Sequence, residues 1–340
     1  MSNYDKYKDQ GLTGLANLGN TCYINSCMQV LSHCYPLNEV IDNLVNLNDI
    51  EDSILLIEWK KLKDLIWSKN CTIAPNRFIN VIQQISLKKN KELFTGFAQN
   101  DLPEFLIFIF ECFHNALKRE VNMQISGNEY NETDKLANNC YTMMKKTYNN
   151  NYSEILKLFF GIHVSLIQSE INFSNLSINS EPYNIINLPI PPKSNNCTIY
   201  DCFDLYVNKE YLEGENAWYN EKTKKKENIY KSLSFWNLPD ILIVDFKRFD
   251  NNNKKINTLV TTPLDNVNLS KYVIGYNKES YIYNLFGIIN HSGGSLGGHY
   301  TCFVKNANNK WYHFNDTIVS EIDTNSLITN KAYCYFYKKI

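Results

Sequence analysis

Ile24, Met28, Leu31 and Tyr35 recur at intervals of three and four residues. That spacing predicts a helix from about residue 22 to 34, stopped by Pro36. A second amphipathic helix is predicted over 50–68, with Ile54, Leu55, Ile57, Leu62, Leu65 and Ile66 on its apolar side. A third spans 100–120, with Pro103 tolerated close to its start. Residues 121–150 are polar and rich in Asn, so mobile loop is expected there with one helix around 133–147. From about residue 158 the period falls to two, which predicts strands within 158–173, 180–190, 232–250, 281–292, 298–306, 310–316 and 331–339. Helices first and strands later imply an α+β fold rather than alternating βαβ units. No internal repeat is evident. Residues 217–232 are charged and exposed in character, and 251–255 (NNNKK) form a hairpin tip or loop.

The chain has 340 residues, 44% hydrophobic and 20% charged. It is long enough for a sizeable core and for one large or two smaller domains. Lys and Arg number 34 against 35 Asp and Glu, a formal net charge of -1. The global basic footprint of a nucleic-acid binder is therefore absent. No apolar run approaches the roughly 18 residues of a membrane span, and the polar start MSNYDKYKDQ does not read as a secretory signal. The 10 cysteines include no CxxC pair, so free thiols in an intracellular setting are expected, with no metal or cofactor.

Two segments carry candidate chemistry. Cys22 lies where the Gly-rich loop 11–22 enters the first helix. A helix N-terminus favours thiolate over thiol and should lower the pKa of Cys22. Asn17 offers a side-chain NH2 that could face a developing oxyanion. A base is needed, and HSGGSLGGHY (291–300) supplies two histidines among four glycines. His299, at the junction of loop and strand, is the stronger candidate; His291 lies further from the strand start. If 299–304 and 310–314 pair antiparallel, Asn315 or Asp316 falls beside His299 and can fix its tautomer.

The motifs resemble one family. GLTGLANLGNTCYINSCMQVL (11–31) is similar to the Cys box of the ubiquitin-specific proteases, papain-like cysteine deubiquitinases. HSGGSLGGHYTCFVKN (291–306) with KWYHFNDTIVSEI (310–322) resembles their His box. AQNDLPEFLIFIFECFH (98–114), YLEGENAWYNEKTKKK (211–226) and LPDILIVDFKRF (238–249) resemble three intervening blocks in family order. The resemblance implies a flexible lead-in over 1–10 and a catalytic domain over 11–340. Within it a helical thumb covers about 11–150, β-fingers about 158–240, and a β-palm about 185–200 and 238–340. It implies Cys22 as nucleophile, His299 as base, Asn315 as third triad member assisted by Asp316, and Asn17 as oxyanion donor. Gln99, Asp101, Glu104, Gly298 and Tyr300 match positions at the substrate. Asp101 would pair with an arginine of ubiquitin's basic tail, against the plainer reading of a charge at a helix N-terminus. Glycines at 293–298 would line a channel that admits only glycine.

The implied partners are ubiquitin and ubiquitinated proteins, with no nucleic acid or membrane, and the implied state is a monomer. Many members of this family bind zinc in the fingers through two CxxC pairs. Here Asn220 and Thr223 stand at one pair and Ser169 and Asn172 at the other, so no zinc is expected. Two other functions stay in view: a ubiquitin-binding module without catalysis, and a protease for a ubiquitin-like protein.

Overall fold

The computed structural model of the chain describes residues 4–44, 47–91, 94, 100–192, 196–294 and 297–340. The N-terminal half is built from helices α1 (Cys22–Ser32), α2 (Tyr35–Asp42), α3 (Glu51–Ser68), α4 (Asn76–Lys88), α5 (Leu102–Leu117), α6 (Glu132–Tyr148) and α7 (Glu154–Phe159), with short strands β1 (Gly14–Leu15) and β2 (Thr72–Ile73). Strands β3 (Gly161–Ser169), β4 (Asn175–Tyr183), β5 (Ile186–Leu188) and β6 (Asn196–Thr198) follow, then helix α8 (Ile199–Val207). The rest is β7 (Glu210–Leu212), β8 (Trp218–Asn220), β9 (Lys225–Glu227), β10 (Ile229–Asn237), β11 (Ile241–Phe246), β12 (Leu259–Thr261), β13 (Val267–Asn268), β14 (Ile282–Gly294), β15 (Gly297–Lys305), β16 (Trp311–Asn315), β17 (Ile318–Ile322) and β18 (Ala332–Lys339). Helices thus precede most strands, as the change of period predicts.

The largest sheet runs β17-β16-β15-β14-β18-β11-β5, with β13 on the edge of β14. Its pairs are antiparallel except β11 with β5. A second, separate sheet has the order β4-β3-β10-β7. Both faces of the large sheet are covered, and its central strands show why. On β11, Ile241 and Ile243 join the core shared with α1, α3 and α5, whereas Leu242, Val244 and Phe246 join a second core with α8. β18 divides likewise, Cys334 and Phe336 to one side and Tyr335 and Tyr337 to the other. Successive side chains point to opposite faces, so an unbroken apolar run marks a strand buried on both.

Helix α1 crosses the helical side of the sheet, packed on β15, β14 and β16 and on α5. All eleven of its residues are buried, including Asn25, Ser26, Gln29 and Ser32. The side chains of Asn25, Gln29 and Ser32 bind backbone. Gln29 Nε2 donates to Thr13 O at 2.6 Å, and Asn25 Nδ2 donates to Leu15 O at 3.2 Å. Loop 13–16 is thereby fastened along α1.

Some boundaries differ from expectation. α1 ends at Ser32 and α2 begins at Tyr35, so Pro36 opens a helix instead of stopping one. Its missing N–H costs nothing in a first turn. α4 and α8 were not anticipated. α8 carries a clear signal, a capping box in which Thr198 and Asp201 exchange side-chain-to-backbone bonds. Asp5–Tyr7 in the expected lead-in form a 3-10 turn, and Tyr7 is buried against Tyr35 and Trp67.

His33 follows α1 and is 2% exposed, packed near Trp67 and Phe314. Its Nδ1 bonds Gln29 O at 2.9 Å, and burial pulls its pKa from the ordinary 6.5 down to about 4. The unfolded chain therefore takes up this proton first as pH falls. The stability held by neutral His33 is complete above about pH 6.5 and drains away toward pH 4. Urea unfolding at pH 4.5 should show a loss of about 2–3 kcal/mol relative to pH 7 from this group, and His33→Phe should reduce the pH dependence by that amount.

Candidate active site

Cys22 is the first residue of α1 and is 1% exposed. Its Sγ accepts the Tyr300 N–H at 3.5 Å, so the loop-to-helix junction meets β15 at the thiol. His299 precedes Tyr300 on that strand. β15 pairs with β16 through Cys302 and Phe314, which carries Asn315 alongside His299. Asn315 Oδ1 lies 2.7 Å from His299 Nε2. An amide oxygen only accepts, so Nε2 carries the proton and Nδ1 is left as the basic nitrogen. The thiol at the start of a helix and the imidazole–amide pair on a sheet, 277 residues downstream, thus reach one place.

Asp316 ties the two sides together. It occupies the turn after β16 with φ of 50°, a left-handed conformation that Asp adopts more readily than most residues. Its Oδ1 accepts from Asn25 Nδ2 at 2.8 Å, its Oδ2 from Asn17 Nδ2 at 3.1 Å, and its backbone carbonyl from Leu15 N at 2.9 Å. Gly14 makes this approach possible, since a Cβ there would come within 2.3 Å of Thr317 O. Asn17 is further fixed by its Oδ1, which accepts from Thr21 N at 3.0 Å and Gly19 N at 3.2 Å. One Asn17 amide hydrogen is thus engaged by Asp316, and the oxyanion role would fall to the other.

The electrostatics of Cys22 differ from expectation. Burial pushes its pKa above the ordinary thiol value; the Tyr300 amide opposes this, and the nearby Asp316 carboxylate adds to the rise. Desolvation of a thiolate outweighs the helix-terminus field here because the sulfur is almost wholly covered.

Asp101 is the residue before α5 and accepts from Tyr333 Oη at 2.9 Å. Burial raises its carboxyl pKa, against the Tyr333 hydrogen bond. Glu104 lies in the first turn of α5, and burial, then Asp101, raises its pKa. Gln99 lies outside the described residues, while Asn100 donates to Tyr23 Oη at 3.1 Å. Gly298 pairs with Gly293 at the end of the β14–β15 ladder. His291 is not solvent-facing: it is 4% exposed, ringed by Tyr300 and Tyr333. Sequence reasoning missed Asn25, which on a helical wheel is one more polar position.

Zinc does not fit the residues at the positions matched to the family's two CxxC pairs. Asn220 and Thr223 both bond Glu227, and Asn172 Oδ1 accepts from Ser174. Those positions offer no thiolate or imidazole. Among the described residues no group of three His, Cys, Asp or Glu is arranged to hold a metal ion.

A thiol on a helix N-terminus, met by the strand that also carries a histidine paired with an asparagine, is compatible with a papain-like fold. The chain belongs to the ubiquitin carboxyl-terminal hydrolase family, whose description matches residues 13–337. Ubiquitin carboxyl-terminal hydrolase Usp2 of Drosophila melanogaster is 30% identical over 341 residues, covering 98% of this chain and 35% of its own length. Ubiquitin carboxyl-terminal hydrolase 2 of Homo sapiens is 30% identical over 344 residues, covering 97% of this chain and 55% of its own. This chain therefore spans about a third to a half of those relatives. Among solved structures, Ubp8 in the SAGA DUB module with Sgf11, Sus1 and Sgf73 bound to monoubiquitin shares the fold, with a TM-score of 0.72 at 23% identity over 97% of this chain and 70% of that one.

Two measurements test this description. Removing Asp316 by Asp316→Ala should cost about 1–3 kcal/mol in urea unfolding, because Asn25 and Asn17 lose their shared acceptor. Asn25→Ala should then cost less in that background than in the wild type, a coupling above about 0.5 kcal/mol. The iodoacetamide alkylation rate of Cys22 in the ubiquitin-free protein should keep rising through pH 8.5, whereas a plateau reached below neutrality would contradict the raised pKa.

Proposed function

We propose that this chain is a thiol-dependent deubiquitinase that hydrolyses the bond after the C-terminal glycine of ubiquitin, in isopeptide or peptide linkage. The observation that carries the reading is the meeting of Cys22 Sγ with the Tyr300 amide beside the His299–Asn315 pair. Membership of the ubiquitin carboxyl-terminal hydrolase family supports the choice of substrate.

Cys22 gives its proton to His299 Nδ1, and the sulfur attacks the glycine carbonyl carbon. The carbonyl electrons move to oxygen, where Asn17 and backbone N–H groups at the start of α1 stabilise the charge. The intermediate collapses to a thioester as the amine leaves with the proton from His299. Water, deprotonated by His299, attacks the thioester; the Cys22 thiol departs and ubiquitin is released with a free carboxylate. Asn315 keeps the imidazole in the productive tautomer, and Asp316 orients Asn17. The elevated thiol pKa of the resting protein makes the proton transfer to His299, rather than a standing thiolate, the source of the nucleophile.

Asp101 and Glu104 at the start of α5 suit the basic tail of ubiquitin, Gln99 is assigned to the same tail by the family resemblance alone, and Gly298 and Tyr300 border the path of the terminal glycines. In the proposed division a helical thumb (about 11–150) and a β-palm (about 185–200 and 238–340) flank the cleft, and β-fingers (about 158–240) hold the body of ubiquitin.

Ubiquitin bearing a thiol-reactive C-terminus should label the wild type with one equivalent and leave Cys22→Ala unlabelled. That variant should still bind ubiquitin while hydrolysing a ubiquitin-fluorophore conjugate at least about a thousandfold more slowly. Wild-type protein that binds ubiquitin without being labelled would instead identify a non-catalytic module.

A further inference from the structure

The turn after β11 and the hairpin that carries His299 are joined by one side chain. Residues 249–255 form a small hairpin, closed by a bridge between Phe249 and Lys255 and by Asp250 N donating to Lys254 O at 3.1 Å. Lys255 reaches from it to β14. Its Nζ donates to His291 O at 2.7 Å and to His291 Nδ1 at 3.2 Å. Among the described residues the charges that act on Lys255, Arg248 and Lys331, are both cations. A half-buried ammonium so placed is held by the two His291 acceptors.

The other end of the contact is buried against β15. An ammonium only donates, so Nδ1 of His291 accepts and its Nε2 carries the proton. Nε2 points at the opposite strand, where a Cβ on Gly298 would come within 2.3 Å of it. Register places His291 across from Tyr300 and Ser292 across from His299. The imidazole of His291 is therefore a wedge beneath the residues that carry the base and contact the Cys22 sulfur, and Lys255 holds the wedge from below. Arg248 braces the same turn, with its Nη1 donating to Ile256 O at 3.0 Å and Thr258 O at 2.9 Å.

We propose that Lys255 is a positioning residue. By bridging to both the carbonyl and the ring of His291, it keeps the β14–β15 hairpin in the form that accepts the substrate tail. This inference rests on the hydrolase reading above and adds to it a determinant of substrate affinity. Bound substrate would itself press the hairpin into place, so losing the bridge lowers the competent fraction of the free protein. Apparent affinity then falls by that fraction, and the bound complex reacts at its former rate.

The test uses Lys255→Met, which keeps the stem and removes the donors, and Lys255→Arg, which restores donors. With a ubiquitin-fluorophore substrate, Lys255→Met should raise KM about tenfold and leave kcat within about twofold. Lys255→Arg should recover most of the lost affinity. Backbone hydrogen exchange over 291–294 and 297–300 should accelerate in Lys255→Met. An unchanged KM with unchanged exchange overturns the proposal. So does a parallel fall in kcat and melting temperature that Lys255→Arg does not repair, which marks a purely structural role. If the wild type itself fails to cleave the substrate, the hydrolase reading fails, and the exchange measurement still judges the bridge.

Discussion

The candidate site depends on the carboxylate of Asp316. One side of the site is a loop and helix near the start of the chain; the other is a pair of strands near its end. Asp316 accepts from Asn25 on α1, from Asn17 in the loop and, through its backbone, from Leu15. Three bonds from one turn residue fix the distance and rotation of the helix against the sheet. Asn25 is 2% exposed, so its amide has little access to water as a substitute partner. Gly14 admits the turn at a separation that any larger residue would block.

The sheet gives this junction something rigid to hold. β14, β18 and β11 lie at its centre with apolar packing on both faces. Tightly packed interiors resist small displacements. Asn315 and His299 sit toward one edge of that slab, where strand pairing sets their separation. The helices contribute the thiol, but their own placement is set by what α1 buries against β14, β15 and β16. Geometry at the site is thus inherited from the core, on which the Asp316 turn and loop 13–17 are pinned.

The local features were legible. The thiol at a loop-to-helix junction, the glycine-rich segment before His299 and the run of strands after residue 158 all follow from short-range pattern. What could not be read were facts that join distant positions. Asn25 and Gln29 look like the wet side of a helix; they are buried because the chain folds loop 13–16 over them. The field of a helix terminus argues for an acidic Cys22, yet the covering of its sulfur decides the sign. Pro36 punctuates the chain as expected, but by starting a helix. Asp101 is a helix-terminal charge and also a partner of Tyr333, 232 positions away, so neither simple reading of it was complete. Lys255 belonged to what looked like a bare polar turn, and only the fold sets it under His291.

The junction at Asp316 also bears on the birth of the molecule. Synthesis delivers Cys22 294 residues before Asp316. A chain still being translated can bury much of its helical region, and the thiol waits there without the His299–Asn315 pair or Asp316. The site comes together only when β15 and β16 have left the ribosome and closed onto α1. Such long-range closure slows folding, and it also withholds a finished cleft from every truncated or half-made copy.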